Sequence, residues 1–218
     1  MLVGMRKTAD LVFDLDGTIS DPLTGIHRSI NFALNFHALD QVPEATVGGL
    51  IGPPLDEAFR ALVPAADDRL IGALISRYRE RYAEVGFAEN SIYDGVREAL
   101  RNLSDRGLTL GVCTSKREDF AERILEMFGI RSHFSFVDGG DVAIKKRQQL
   151  EALLSAGLVD RSTRMIGDRA VDILAASTNG LLSVGVLWGY GSESELREAG
   201  ANVLLSEARE LSQLSSAT

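Results

Sequence analysis

The stretch Leu11-Val12-Phe13-Asp14-Leu15-Asp16-Gly17-Thr18 decides the fold. A short apolar run, Leu11 to Phe13 with Ala9 just before it, ends abruptly in a polar cluster, which predicts a buried strand followed by a loop. Side chains two apart on a strand point to the same side, so Asp14 and Asp16 are expected to project together from its carboxyl end. Open α/β sheets place their ligands at that end of a parallel strand. Two adjoining carboxylates repel, which calls for a metal ion or a shared proton. A turn rich in Asp and Gly has a similar composition, but its place directly after a buried strand favours a site.

The second half of the chain repeats a strand–helix rhythm. Val96, Ala99, Leu100 and Leu103 fall at helical spacing, with Asp94 as cap and Gly107 as stop. Leu108 to Cys113 reads as a strand, Phe120 to Phe128 as a helix closed by Gly129, and Phe134 to Val137 as a strand. Leu150, Leu153 and Leu154 mark a helix closed by Gly157. Met165-Ile166, Leu181–Leu187 and Val203–Leu205 read as further strands, with a helix from Ala170 to Thr178. Strands alternating with helices of this size predict βαβ units, a Rossmann-like parallel sheet and helices on both faces. Residues 22–90 break the rhythm with two helical stripes, Ile26-Ile30-Ala33-Leu34 and Leu70-Ile71-Leu74-Ile75-Tyr78-Tyr82. This predicts an all-helical insertion after the first strand: a core of 1–20 and 91–218, and a second domain of 21–90.

Composition narrows the function classes. The 218 residues carry 31 acidic against 23 basic side chains, net charge −8, which disfavours nucleic acid or an anionic membrane as partner. No apolar run reaches the ~18 residues of a membrane span. Met5 is a possible alternative start, and Arg6-Lys7 superficially resembles a leader's basic end, but the acidic residues that follow leave no apolar region behind it. One cysteine makes neither an internal disulfide nor a Cys-rich zinc site. The expectation is a cytoplasmic protein, with the Ser-rich tail from Ser212 frayed.

Further chemistry-bearing residues lie at the ends of later strands. Gly167-Asp168-Arg169-Ala170-Val171-Asp172 puts Asp168 at a strand end and Asp172 one helical turn on, nearly on the same face. With the first Asp pair, Asp168 completes an oxygen-only Mg²⁺ site. Thr114-Ser115 ends another strand, where a hydroxyl and a helix start favour phosphate. Lys145-Lys146 opens a helix. Other chemistries fail: the residue six places after Cys113 is Asp119 where a cysteine phosphatase needs Arg, and no Gly-x₄-Gly-Lys-Ser/Thr loop is present. His27-Arg28 is a candidate substrate contact near the insertion's entrance, and Trp188 and Tyr190 are expected at the core edge.

The order of these motifs resembles the haloacid dehalogenase superfamily of phosphatases, over most of the chain. The resemblance implies that Asp14 is a nucleophile, Asp16 a general acid/base, and Lys145 the lysine that steadies nucleophile and phosphate. Lys145 is preferred over Lys146 by its 23-residue spacing to Asp168. Thr114 and Ser115, with Gly17 and Thr18 of the first loop, are implied to bind substrate. Asp14, Asp16 and Asp168 are implied to bind Mg²⁺, with Asp172 one layer further out, and the insertion looks like the family's cap. Asp21-Pro22, Gly52-Pro53-Pro54-Leu55, Glu89-Asn90, Tyr93-Asp94-Gly95-Val96 and Gly185 to Gly191 are similar to the phosphoglycolate-phosphatase-like branch. The implied activity is Mg²⁺-dependent hydrolysis of a small phosphorylated metabolite through an aspartyl-phosphate. A 5'-nucleotidase, a pyrophosphatase, a sugar phosphomutase and a non-catalytic relative that binds phosphorylated ligands are the alternatives.

Overall fold

A computed structural model describes residues 8–141 and 144–215. Met5, Arg6 and Lys7 lie outside the described residues, as does the end of the serine-rich tail from Ser216. In chain order the elements begin with β1 Leu11–Phe13 and β2 Ser20–Asp21. Four helices follow, α1 Leu23–Phe36, α2 Glu44–Gly48, α3 Leu55–Leu62 and α4 Asp68–Glu84. The chain continues through β3 Ser91–Ile92, α5 Val96–Asp105, β4 Leu110–Thr114, α6 Glu118–Met127 and β5 Phe134–Gly139. It ends with α7 Lys146–Ser155, β6 Arg164–Gly167, α8 Ala170–Thr178, β7 Leu182–Val186, α9 Glu193–Glu198 and β8 Val203–Leu205.

Six strands form one parallel sheet in the order β5-β4-β1-β6-β7-β8. The alternation of β1 explains its central place. Leu11 and Phe13 enter the apolar core shared with α5 and α6, while Val12 enters the one shared with α7 and α8. The chain builds outward from β1 through β4 to β5, then returns to the other side of β1 with β6. That reversal opens a crevice at the carboxyl ends of these strands, where such sheets bind ligands.

The insertion is helical, α1 to α4, with its own core of Ile30, Leu34, Val47, Phe59, Leu74 and Tyr78. Its two connections to the sheet run side by side as an antiparallel pair, β2 with β3. Phe120 of α6 joins the insertion's apolar cluster, so the two parts pack directly over the strand ends. Two expectations are corrected. Helix α5 is capped by Gly95 in the left-handed region (φ 85°), not by Asp94, because the chain reverses too tightly for a residue with a Cβ. The described start of the tail expected to fray from Ser212 is ordered: Ala208–Gln213 is a 3₁₀ turn, with Leu211 and Leu214 buried in the core. No helix among the described residues is long and apolar enough to cross a membrane.

Candidate active site

Asp14 follows β1 directly, and its amide donates to the carbonyl of Ile166 on β6 at 2.8 Å. The strand pairing therefore carries its carboxylate into the crevice, 2 % exposed. Oδ1 accepts from the Leu15 amide at 2.8 Å, and Oδ2 pairs with Nζ of Lys146 at 2.8 Å. Lys146 also pairs with Asp172, whose Oδ2 accepts from the Arg169 amide at 3.0 Å. Asp168 accepts from the Thr18 hydroxyl at 3.2 Å and from the Tyr190 amide at 2.8 Å.

Carboxylate oxygens of Asp14, Asp168 and Asp172 lie within 4.8 Å of one another, all buried. Three carboxylates against one ammonium leave an excess of buried negative charge. Burial, reinforced by the neighbouring carboxylates, pushes both Asp168 and Asp172 above the ordinary carboxylate range. Burial alone would lower the Lys146 ammonium, but Asp14 and Asp172 outweigh it and hold it above its usual value. An all-oxygen, anionic and dehydrated set fits a hard divalent cation such as Mg²⁺. Each of the three carboxylates has a partner on both oxygens, and each offers one oxygen to such a cation within this cluster.

Backbone shape makes this closeness possible. Gly17 has φ +85°, and a Cβ there would stand 2.2 Å from Asp168 Oδ2. On the opposite side, a Cβ on Gly189 would stand 2.3 Å from the Gly17 carbonyl and 2.4 Å from the Asp168 Cβ. The loop after β7 is thus folded onto the first loop, and Trp188 Nε1 donates to the Thr18 carbonyl at 3.0 Å. Trp188 packs at the edge of the sheet's apolar core, as expected, whereas Tyr190 gives its amide to Asp168 and its hydroxyl to Asp21.

Several expected site residues stand elsewhere. Lys145 is exposed at the N-cap of α7, its amide donating to Gln148 Oε1 at 3.1 Å, and it does not reach Asp14. Lys146 takes that place because it belongs to the buried stripe of α7, with Gln149, Leu150 and Leu153. That stripe was the available signal: counting back four from Leu150 gives 146. Asp16 was expected among the metal ligands, yet its side chain lies outside the carboxylate cluster and pairs with Lys116 at 2.8 Å. Extended geometry stops at Phe13 and the chain turns through Gly17, so the same-side rule for a strand no longer aims Asp16 at the metal position. Thr18 was expected to bind substrate, but its hydroxyl is committed to Asp168. His27 bonds the Val42 carbonyl and Arg28 pairs with Glu89, so both brace the insertion.

Between insertion and sheet lies a cavity of about 90 Å³, into which Asp14, Asp16, Thr114 and Ser115 face from the sheet side. Its other walls are mostly apolar, including Ile26, Ile30, Leu50, Leu55, Tyr78 and Phe120. Three cations line it, and each has a carboxylate partner: Lys116 on Asp16, Arg79 on Asp141 and Arg117 on Asp119. Burial pushes the Asp16 carboxyl up, outweighing the lowering effect of Lys116. Sequence reading missed Lys116 because a lysine after a strand is ordinarily a solvated surface residue. The site therefore offers a buried carboxylate held by an ammonium, a second carboxyl raised above its ordinary range by burial, a carboxylate cluster fit for a cation and a covered cavity.

A sequence profile for haloacid dehalogenase-like hydrolases matches residues 11–186. A 5'-nucleotidase from Pseudomonas aeruginosa is 40% identical over 192 residues, covering 86% of each chain. A phosphoglycolate phosphatase from Rhodospirillum rubrum is 33% identical over 195 residues, 84% of this chain and 81% of that one. Among solved structures, a predicted phosphatase from Clostridium acetobutylicum superposes with a TM-score of 0.88 at 32% identity, over 93% of this chain and 95% of that chain. The chain belongs to the haloacid dehalogenase-like hydrolases, among their phosphatases.

Proposed function

We propose that this protein is a Mg²⁺-dependent phosphatase that hydrolyses a small phosphate monoester through an aspartyl-phosphate on Asp14. The observation that carries this reading is the placement of Asp14. It lies at the central strand end, held by Lys146, beside Asp168, and open to a covered cavity that Asp16 also faces. Asp14 and Asp168 would hold Mg²⁺, which when bound offsets phosphoryl and carboxylate charge. Lys146 pairs with the Asp14 carboxylate and orients it. Thr114 and Ser115 present polar groups to the transferring phosphoryl oxygens.

Asp14 attacks phosphorus in line with the ester oxygen; the new O–P bond forms as the ester P–O bond breaks. The leaving oxygen keeps the bonding electron pair and takes the proton held by Asp16. Asp16, now a carboxylate, removes a proton from water, and the resulting hydroxide attacks phosphorus. Phosphate leaves and the Asp14 carboxylate is restored. A buried carboxyl that retains its proton above the ordinary range suits the first of these proton transfers.

The leaving group sits in the cavity under the helical insertion. The sequence motifs support 2-phosphoglycolate as a substrate. The apolar and aromatic walls, with their cations already paired, favour a leaving group with an apolar face, and the similarity to a 5'-nucleotidase points the same way. The acidic chain and its buried thiol support action in the cytoplasm on a soluble metabolite. The test is phosphate release across 2-phosphoglycolate, nucleoside 5'-monophosphates, sugar phosphates and pyrophosphate, in EDTA and with Mg²⁺ restored. Release from monoesters only with Mg²⁺ is expected, nucleoside monophosphates and 2-phosphoglycolate included. Full activity in metal-free buffer, or turnover of pyrophosphate alone, overturns the reading.

A further inference from the structure

Lys116 stands in the turn between β4 and α6, its side chain 6 % exposed. Its ammonium has two partners from different parts of the molecule. On the sheet side it lies 2.8 Å from Asp16 Oδ2. On the other side it donates to the hydroxyl of Tyr82 at 2.8 Å and sits 4.6 Å from the centre of that ring. Tyr82 belongs to α4 of the insertion and is 1 % exposed. Its ring stacks on Tyr78 at 5.2 Å and meets the edge of Phe120, a residue of the sheet domain, at 5.1 Å. The hydroxyl is therefore delivered to Lys116 by a side chain wedged between the two parts.

The carboxylate of Asp16 is asymmetric as a result. Lys116 occupies Oδ2, while Oδ1 is buried with no hydrogen-bond partner. An ammonium carries three donors and no acceptor, so it fixes the carboxyl without competing for the proton acceptor's role of the other oxygen. We propose that Lys116 and Tyr82 are positioning residues that fix Asp16 so that Oδ1 is the oxygen that moves the proton, and that only a seated insertion completes this arrangement. The inference rests on the phosphatase reading above, because it needs Asp16 to serve the leaving group. Seating α4 over the substrate brings the Tyr82 hydroxyl to Lys116, and Lys116 then holds Asp16. With the insertion lifted, Lys116 loses one of its two anchors and Asp16 is no longer confined to one rotamer.

The experiment compares wild type with Tyr82→Phe, Lys116→Met, Lys116→Arg, the Tyr82→Phe/Lys116→Met double variant and Asp16→Asn. Tyr82→Phe keeps the ring and its packing and removes only the hydroxyl. On an alkyl phosphate, its kcat should fall about tenfold, the scale of a lost hydrogen bond to a charged donor, with KM within about twofold. Lys116→Met should lose about a hundredfold, and Lys116→Arg should recover part of that. The double variant should be no worse than Lys116→Met, because the hydroxyl acts through the lysine. With 4-nitrophenyl phosphate, whose leaving group needs no proton, single-turnover phosphorylation of Asp14 should stay near wild type in Tyr82→Phe, and its melting curve should match wild type. A raised KM with unchanged kcat makes Lys116 a substrate-binding residue and overturns the proposal, as do additive losses in the double variant. An active wild type with an unaffected Tyr82→Phe overturns this inference alone. A wild type that releases no phosphate from any ester overturns the phosphatase reading with it.

Discussion

Two adjacent lysines separate a surface residue from a buried one. Lys146 is fully enclosed between Asp14 and Asp172, so its removal leaves buried carboxylates without their countercharge. Breaking such a pair typically costs about 3–5 kcal/mol. Lys146→Ala should therefore lower the melting temperature sharply and abolish turnover, whereas Lys145→Ala, at an exposed cap, should leave both near wild type. Parallel melting curves and phosphate-release assays check this, and an inactive Lys145→Ala with an active Lys146→Ala would reverse the assignment. The two aspartates of the first loop separate in the same way. In the proposed mechanism Asp14→Asn removes the nucleophile, so no covalent adduct should form on it. Asp16→Asn keeps the nucleophile; with an acyl phosphate or an activated phenyl ester it should phosphorylate Asp14 and then stall, because no base activates water. Turnover should fall by ~10²–10⁴-fold for loss of the positioned acid/base. Intact-mass measurement should show a phosphate adduct on Asp16→Asn and none on Asp14→Asn; an adduct mapping to Thr114 or Ser115 would refute the roles. Both aspartates were legible from spacing. Their different directions were not, because they depend on where the strand geometry gives way to the Gly17 turn.

Elements that carry an apolar run or a helical stripe were readable, down to the three residues of β8, whereas α2, α3 and the pair β2 and β3 were not. Helix α8 runs from Ala170 to Thr178 as the pattern predicts, β1 and β7 fall within their apolar runs, and β4 and β6 reach past theirs to Thr114 and to Arg164 and Gly167. The pair β2 and β3 has two residues per strand, defined by backbone pairing across the helical insertion between them, so no local pattern announces it. The loop from Leu187 to Ser192 is legible as part of a family-like motif, but no local pattern shows that it supplies the amide on Asp168 and abuts the first loop. Its closeness gives a prediction at the scale of that loop. Gly189→Ala puts a methyl group into the Gly17 carbonyl and the Asp168 Cβ, so the loop must move and the Tyr190 amide must leave its carboxylate. Groups that orient metal ligands typically contribute 10–100-fold to metal affinity. The Mg²⁺ concentration for half-maximal activity should rise by about tenfold, while substrate KM at saturating Mg²⁺ changes less. A Mg²⁺ titration of activity measures this, and an unchanged half-saturation would show that the loop has no hold on the site.

Charge balance across the whole molecule sets how stability responds to pH. Burial raises the carboxyls of Asp168, Asp172 and Asp16 above the ordinary range, and of Asp138 as well. In the unfolded chain these groups titrate near about 3.9. Above that pH the native state holds more protons than the unfolded state, so stability falls as pH rises through the window. The partly exposed Glu89 and Glu195 shift the other way, held low by their arginine and amide partners, and withdraw their contribution only as pH drops below about 4. The raised Lys146 stays charged throughout, so it adds no slope between these limits. The net charge of −8 at pH 7 adds self-repulsion of the same sign as the buried carboxyls. In EDTA the protein should therefore melt at progressively lower temperature from pH 5 to pH 8. On the proposed reading Mg²⁺ binds the deprotonated cluster and should stabilise the native state in proportion to its occupancy. Protons compete with it for Asp168 at the acid end, so the increment in melting temperature on adding Mg²⁺ should grow with pH. Melting curves at pH 5, 6, 7 and 8 in EDTA and in MgCl₂, with NaCl matched for ionic strength, separate the specific effect from screening. A melting temperature that climbs with pH in EDTA, or an increment that NaCl reproduces, would show that the buried carboxylates do not form the cation site.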